Sequence, residues 1–301
     1  EKEIMAAHNN NMETLHKHNL RVFAHTSKSS KKMIAGRVIP KTLIFNTDSK
    51  YTNMYTANKF DSKISFSTHH KSDFKGSHIK INKEGTSFEV NNEKYNLNLI
   101  GKINVKNAVA AIAAAKSLKI SRDNIQKGFS NLKTIPGRME KIDIGQDFMV
   151  FVDYAHDQVS LEHLLQTGKE IIPKSNKVIV LFGGQGGGRD KLKRAEMGVI
   201  AGNLADIVVI SDDDPYDDPP MEIIEDIASG AKKAGKIIDK NLFLVQDRRS
   251  GIHKALSLAN TGDLVFVACK GADQLMMIAN GKSLPWDDRK VTLEELRKLI
   301  K

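Results

Sequence analysis

Polar and apolar positions alternate along the chain in two styles. From about residue 148 onward, short apolar runs at Phe148–Val152, Lys177–Phe182, Ile207–Ser211, Leu242–Val245 and Leu264–Ala268 read as strands. Amphipathic stretches at Leu161–Ile171, Lys193–Leu204, Met221–Ala234, Ser250–Ala259 and Leu293–Ile300 separate or follow them and read as helices. Continuous apolar strands with helical crossovers predict a mostly parallel sheet covered on both faces, a doubly wound α/β architecture. The earlier part is less regular. Lys41–Asn46 reads as a strand, and Ile64-Ser65-Phe66, Ile79-Lys80-Ile81 and Phe88-Glu89-Val90 alternate with turn residues, predicting a small antiparallel sheet. An alanine-rich helix is expected over Asn104–Leu118, and Ser121 should cap a second over Asp123–Phe129. Pro136-Gly137 marks the expected boundary, giving domains 1–136 and 137–301.

Length and composition narrow the class. A chain of 301 residues has room for two cores, and 40% hydrophobic with 27% charged residues is globular usage. No apolar run approaches the ~20 residues needed to span a bilayer. The first residues, Glu1-Lys2-Glu3-Ile4-Met5, lack the pattern of a secretory leader, and the single Cys269 permits no internal disulfide, so the cytoplasm is expected. The net charge of +10 is uneven: residues 1–136 hold 23 Lys and Arg against 10 Asp and Glu, residues 137–301 hold 23 against 26. The lysines are scattered, without interleaved aromatics, which argues against nucleic acid and for a phosphate-bearing substrate or a solvated surface.

Ligands in parallel sheets bind beyond the carboxyl ends of the strands, so the segments after each strand carry the candidate chemistry. Five glycines among residues 183–188, followed by Arg189, Lys191, Lys193 and Arg194, bring backbone N–H groups and guanidinium groups to a helix start suited to an anion. Five acids between Asp212 and Asp218 exceed what helix capping requires, and suit a metal or an ammonium group. Pro136-Gly137-Arg138-Met139-Glu140, Asp153-Tyr154-Ala155-His156, Lys270-Gly271-Ala272-Asp273-Gln274 and Trp286-Asp287-Asp288-Arg289 complete the set.

In their order and spacing these segments resemble the Mur ligases, most closely the UDP-N-acetylmuramoyl-tripeptide synthetases that add the third residue of the peptidoglycan stem peptide. The likeness runs from about Lys41 to Lys301 and is strongest from Gly101. It implies a partial central ATPase domain followed by a Rossmann-like C-terminal domain, with ATP and Mg²⁺ as cofactors. UDP-N-acetylmuramoyl-dipeptide and an amino acid are the implied substrates. By resemblance Asn104 and Asn107 lie near the adenine, Arg138 reaches the phosphates, Asp153 the ribose, and His156 stands beside the nucleotide. Arg194 matches a residue holding the incoming amino acid's carboxylate. Asp213, Asp214, Pro215 and Tyr216 occupy the family's Asp-Asn-Pro-Arg selectivity motif, and Lys270, Gly271 and Asp273 its Lys-Gly-His-Glu motif. Tyr216 stands where an arginine would grip the distal carboxylate of diaminopimelate, and a phenol offers no cationic fork. With Asp213, Asp214 and Asp273 retaining negative charge, a lysine-like diamine is expected instead.

The resemblance is incomplete. The sequence contains no P-loop, Gly-x-x-x-x-Gly-Lys-Ser/Thr; Gly281-Lys282-Ser283 is a chance fragment, with Met276 where the first glycine would stand. The position of the family's carbamylated lysine reads Asn19, with Lys17 displaced by two residues and His8 matching a preceding histidine. The expectation is therefore a ligase lacking its N-terminal part and inactive alone, with exposed apolar surface over residues 1–136. A non-catalytic homologue acting as a binding module and a folylpolyglutamate-type ligase are the alternatives.

Overall fold

A computed structural model describes residue 28, residues 33–34, 37–189 and 191–300. Asn19, Lys17 and His8 lie outside the described residues. The described chain divides into two compact units, the first ending at Lys133 and the second beginning at Thr134.

In the first unit, β1 (Met33–Ile34) and β2 (Arg37–Val38) pair as a two-stranded antiparallel ribbon. Strands β3 (Thr42–Asn46), β4 (Ser62–Ser67), β5 (Phe74–Asn82), β6 (Gly85–Val90) and β7 (Glu93–Leu97) form a five-stranded sheet in sequential order. The short helix α1 (Thr52–Thr56) links the first two of these. The expectation of an antiparallel sheet needs correction: β3, β4 and the start of β5 run parallel, and only β5, β6 and β7 are antiparallel. Between β4 and β5 the cause is the loop before β5. Asp73 accepts hydrogen bonds from the Ser65 amide at 2.8 Å and the Ser65 hydroxyl at 2.7 Å, folding the chain back so that β5 starts beside the end of β4.

The alanine-rich helix is α2 (Lys102–Ser117), and α3 (Arg122–Asn131) follows with Ser121 as its cap. Val105, Ala108, Val109 and Ile112 of α2 are buried against Phe88, Val90, Tyr95 and Leu97 of the sheet. The apolar face of α2 is thus covered within this unit, contrary to the expected exposure, although Ile103, Leu118 and Ile120 do face outward.

The second unit holds a six-stranded sheet of β8 (Glu140–Lys141), β9 (Met149–Val152), β10 (Val178–Phe182), β11 (Ile207–Ile210), β12 (Leu242–Leu244) and β13 (Leu264–Val267). The spatial order is β12-β11-β10-β13-β9-β8, parallel throughout except for the β8 edge. Helices α4 (Gln158–Ile171), α5 (Leu192–Leu204) and α6 (Pro220–Lys233) carry the chain successively from β9 to β12. Then α7 (Arg248–Ser257) returns it to β13, and α8 (Asp288–Leu299) closes the fold. Alternation along each strand sends Val150, Val152, Ile179, Leu181, Val209, Val265 and Val267 into one core with Ile252, Leu256, Val291 and Leu296 of α7 and α8. Gly168 of α4 meets the Phe266 ring on the opposite face.

This order places a topological switch between β10 and β13, where connections diverge to the two sides and leave a crevice beyond the strand ends. The chain from β13 to α8 adds a hairpin of β14 (Leu275–Ile278) and β15 (Lys282–Pro285). Gly281-Lys282-Ser283 enters this hairpin and has none of the strand-to-helix context of a P-loop. No helix among the described residues is long and apolar enough to cross a membrane.

Candidate functional site

The loops after β9, β10, β11 and β13, with the turn that leads into β8, converge at the switch point. Their approach is close. A Cβ at Gly186 would fall 1.9 Å from the Pro215 carbonyl oxygen, and one at Gly137 would fall 2.1 Å from the Ala272 nitrogen, so only glycine lets these loops touch. Met139, Tyr216 and Cys269, all on these loops, have φ of 46°, 52° and 90°, a left-handed conformation costing of order 1–3 kcal/mol in non-glycine residues. Strain of this kind persists where surrounding contacts impose it.

The acidic loop is largely neutralised from within. Lys270 is fully buried and donates to Asp214 Oδ1 at 2.8 Å, with Asp213 Oδ1 at 3.5 Å. Burial pushes the Asp213 carboxyl up against the opposing pull of the Lys270 charge. Burial also works against the Lys270 ammonium, but Asp213 and Asp214 more than offset it and hold it charged. Asp213 and Asp214 therefore already hold an ammonium group, and Lys270 has no exposed surface for a ligand. The expectation that these three meet the amino acid directly needs that correction.

Arg194 needs a similar one. It is 2% exposed and donates to Asp226 Oδ2 at 2.9 Å, Asp218 Oδ2 at 3.2 Å and the Gln185 carbonyl at 3.0 Å. Its fork is occupied by two carboxylates of the protein, and it serves to brace the glycine-rich loop against α6. Arg189, five residues earlier, has no carboxylate partner among the described residues. Its guanidinium lies over the Tyr216 ring, 5.3 Å from the centroid, with Nη2 3.4 Å from the phenolic oxygen and Nε 3.4 Å from Gln185 Oε1. Stacking and the amide hold it half-buried in one orientation, an arrangement suited to a carboxylate. The sequence shows Arg189 among the basic followers of the glycine loop, but not which arginine is paired.

A second group surrounds Tyr154. Arg138 lies 4.4 Å over the Tyr154 ring centroid, and the His156 ring meets the same ring edge-on at 4.8 Å. His156 Nδ1 is 2.9 Å from the Tyr154 carbonyl. Asp153 accepts from the Met139 amide at 2.7 Å and the Ala155 amide at 2.8 Å; burial pushes its carboxyl up while those bonds and Arg138 oppose the rise. Gly271, at φ 53°, packs against Tyr154 and the Gly137 carbonyl. Asp273 is half-buried with no ion-pair partner among the described residues, and burial raises its carboxyl against the pull of the Lys270 charge, with Asp214 adding to the rise. Asn104 and Asn107 lie in the first unit: Asn104 is buried and donates to the Ile100 carbonyl at 2.8 Å, and Asn107 is exposed. Among the described residues no group of three or more His, Cys, Asp or Glu side chains is set to hold a metal ion.

Asp212 stands at the rim of this cluster, where burial, with Asp247 and Asp213 adding to it against Arg248, pushes its carboxyl up to about 6. From the ordinary value of 3.8 to about 6, the folded chain keeps a proton that the unfolded chain has lost. Stability from this group thus falls as pH rises through that window. Asp212→Asn should remove the slope. In urea unfolding at pH 4 to 7, its advantage over wild type should grow from near zero to on the order of 1 kcal/mol, allowing for solvent screening. A constant difference across that range would contradict the assignment.

Comparison with known proteins places the whole in context. Residues 137–271 match the Mur ligase, glutamate ligase domain, and residues 6–115 match the Mur ligase middle domain. The chain belongs to the Mur ligase family. A UDP-N-acetylmuramoyl-L-alanyl-D-glutamate–2,6-diaminopimelate ligase from Syntrophomonas wolfei is 40% identical over 235 residues, covering 77% of this chain and 47% of that protein. The fold matches the UDP-N-acetylmuramate-alanine ligase of Thermotoga maritima with a TM-score of 0.67 at 18% identity, over 97% of this chain and 58% of the other. It also matches the MurF ligase of Thermotoga maritima, solved in complex with ADP, with a TM-score of 0.60 at 15% identity, over 96% and 57%. The chain spans about half the length of the curated Mur ligase relatives it matches.

Proposed function

We propose that this chain supplies the amino-acid-receiving part of an ATP-dependent ligase of peptidoglycan precursor synthesis. It comprises the C-terminal portion of the central domain, up to about residue 136, and the C-terminal domain from 137. The reaction is addition of the third residue to UDP-N-acetylmuramoyl-dipeptide. ATP phosphorylates the dipeptide carboxylate with loss of ADP; the amine of the incoming amino acid attacks the acyl carbon, and phosphate and a proton leave. These 301 residues contain no P-loop, so the phosphorylation step requires residues beyond them.

The observation that carries this reading is the pair of unsatisfied charges beside a neutralised acidic core: the Arg189 guanidinium on Tyr216 and the Asp273 carboxylate after β13. Arg189 takes the amino acid's carboxylate and Asp273 its side-chain ammonium. In the neighbouring group, Arg138 is oriented by Tyr154 for a phosphate, and Asp153 retains lone pairs for a ribose hydroxyl beyond the two amides it accepts. By resemblance to the family, His156 would stand beside the nucleotide and Asn104 and Asn107 would lie near the adenine. Mg²⁺ would accompany the phosphates, and the described residues are assigned no part in holding it.

The added residue is a lysine-like diamino acid. Between the loops after β10 and β11, Arg189 is the guanidinium not already engaged by a carboxylate, which accounts for one substrate carboxylate and leaves the second of diaminopimelate unmatched. Competition calorimetry with L-lysine and meso-diaminopimelate tests this. L-lysine should bind more tightly, and Arg189→Ala should weaken it about 10–100-fold, the worth of a charge-assisted pair. Tighter binding of diaminopimelate would overturn the diamine assignment, and an unaffected Arg189→Ala would overturn the anchor.

A further inference from the structure

The hairpin β14–β15 is two four-residue strands with Leu275 and Leu284 about half exposed, too short to hold its place unaided. It is fastened to the acidic loop at three points. The Met277 amide donates to Asp214 Oδ1 at 2.8 Å, the Tyr216 amide to the Met277 carbonyl at 3.4 Å, and the Asn280 amide to Asp217 Oδ1 at 2.6 Å. The oxygen that receives Met277 is the one that receives the Lys270 ammonium at 2.8 Å. One buried carboxylate oxygen thus joins the turn after β13, the loop after β11 and the hairpin.

We propose that Lys270 is a positioning residue which, through Asp214, holds the Leu275–Pro285 hairpin as a fixed wall behind Tyr216 and so keeps Arg189 in place at the amino-acid subsite. The proposal rests on the reading of that subsite given above. Its physical basis is one shared acceptor: Asp214 Oδ1 takes the Lys270 ammonium and the Met277 amide together, and removing the ammonium leaves a buried carboxylate without its cation. Lys270 supplies the counter-ion and leaves Oδ1 able to bind the Met277 amide. The Tyr216 amide then closes onto the Met277 carbonyl, fixing the strained backbone that carries the ring beneath the Arg189 guanidinium. The sequence Lys270, Asp214, Met277, Tyr216, Arg189 is a continuous series of contacts.

The test combines hydrogen exchange on the unliganded chain with L-lysine calorimetry. In Asp214→Leu and in Lys270→Met, amides of residues 276–284 should exchange faster by at least about tenfold more than any change at β10 and β13. The L-lysine Kd should rise at least about tenfold in the same variants. Asp214→Asn keeps an acceptor oxygen that needs no counter-ion, so it should stay within about threefold of wild type and should suppress Lys270→Met in the double variant, a rescue that a packing role for Lys270 would not give. Should the buried variants fail to fold, Asp217→Ala, on an exposed residue, should still speed exchange at the hairpin tip and weaken L-lysine binding about threefold. Unchanged hairpin exchange in these variants overturns the proposal, as does a loosened hairpin with unchanged L-lysine binding. Failure of the wild type to bind L-lysine, with hairpin exchange responding as stated, overturns the subsite reading instead.

Discussion

Arg248→Met is expected to destabilise the second unit by about 3–5 kcal/mol, the cost of breaking a buried ion pair by removing one partner. Arg248 and Asp288 are both fully buried, and the fork is bidentate, with Nε to Oδ1 at 2.8 Å and Nη2 to Oδ2 at 2.6 Å. The guanidinium also donates to the Asp212 carbonyl at 2.9 Å and the Ala268 carbonyl at 2.7 Å. It therefore ties the ends of β11 and β13 to the starts of α7 and α8. Methionine leaves Asp288 with the Trp286 indole N–H at 2.8 Å as its remaining partner and strips both carbonyls of a donor. Arg248→Lys should fall between, because an ammonium cannot reproduce the two parallel bonds. Adding Asp288→Leu to Arg248→Met should recover part of the loss, since the uncompensated charge is gone. Urea midpoints for the three variants check this; a loss under 1 kcal/mol in Arg248→Met would mean that the pair is solvated in solution.

Lys270→Met should cost a comparable 3–5 kcal/mol, roughly, and the loss should depend on pH. Without the ammonium, Asp213 and Asp214 are two adjacent buried carboxylates with no cation between them. Burial already pushes the Asp213 carboxyl up against the pull of Lys270, and without that pull the rise is larger, so the variant's stability should fall as pH rises from about 5 to about 8. At acid pH the loss shrinks because protonated carboxyls need no counter-ion. The wild type, with its ammonium in place, should lack this added slope. Equal losses for Lys270→Met at pH 5 and pH 8 would contradict the account.

The sheet of the second unit was legible because its strands are buried on both faces, which leaves continuous apolar runs such as Val178–Phe182. The two-residue edge strand β8 carries no such run, and the helix α8 begins well before its apolar stretch because Asp287 caps it by accepting from the Arg289 amide. Hairpin β14–β15 was missed for a related reason. Its Met276-Met277 core lacks β-branched residues, and its fastening comes from Asp214 and Asp217, some sixty positions away. The parallel start of β5 beside β4 involves the Asp73–Ser65 bonds, a side-chain detail that periodicity does not contain.

The strand-end loops were identifiable as a group, but the pairing within them was not. Both arginines of the glycine-rich segment carry the same charge. The crossing of α5 and α6 decides that Arg194 meets Asp226 and Asp218 while Arg189 does not. Likewise three acids in a row give no sign that a lysine after β13 already neutralises two of them.

A backbone-amide NMR titration of this chain with L-lysine tests the central claim most directly, because it reports where the ligand sits independently of turnover. The account predicts saturable shifts concentrated at Gly187, Gly188, Tyr216 and Asp273, abolished in Arg189→Ala. Saturable shifts confined to other parts of the chain, or the same pattern persisting in Arg189→Ala, would contradict it.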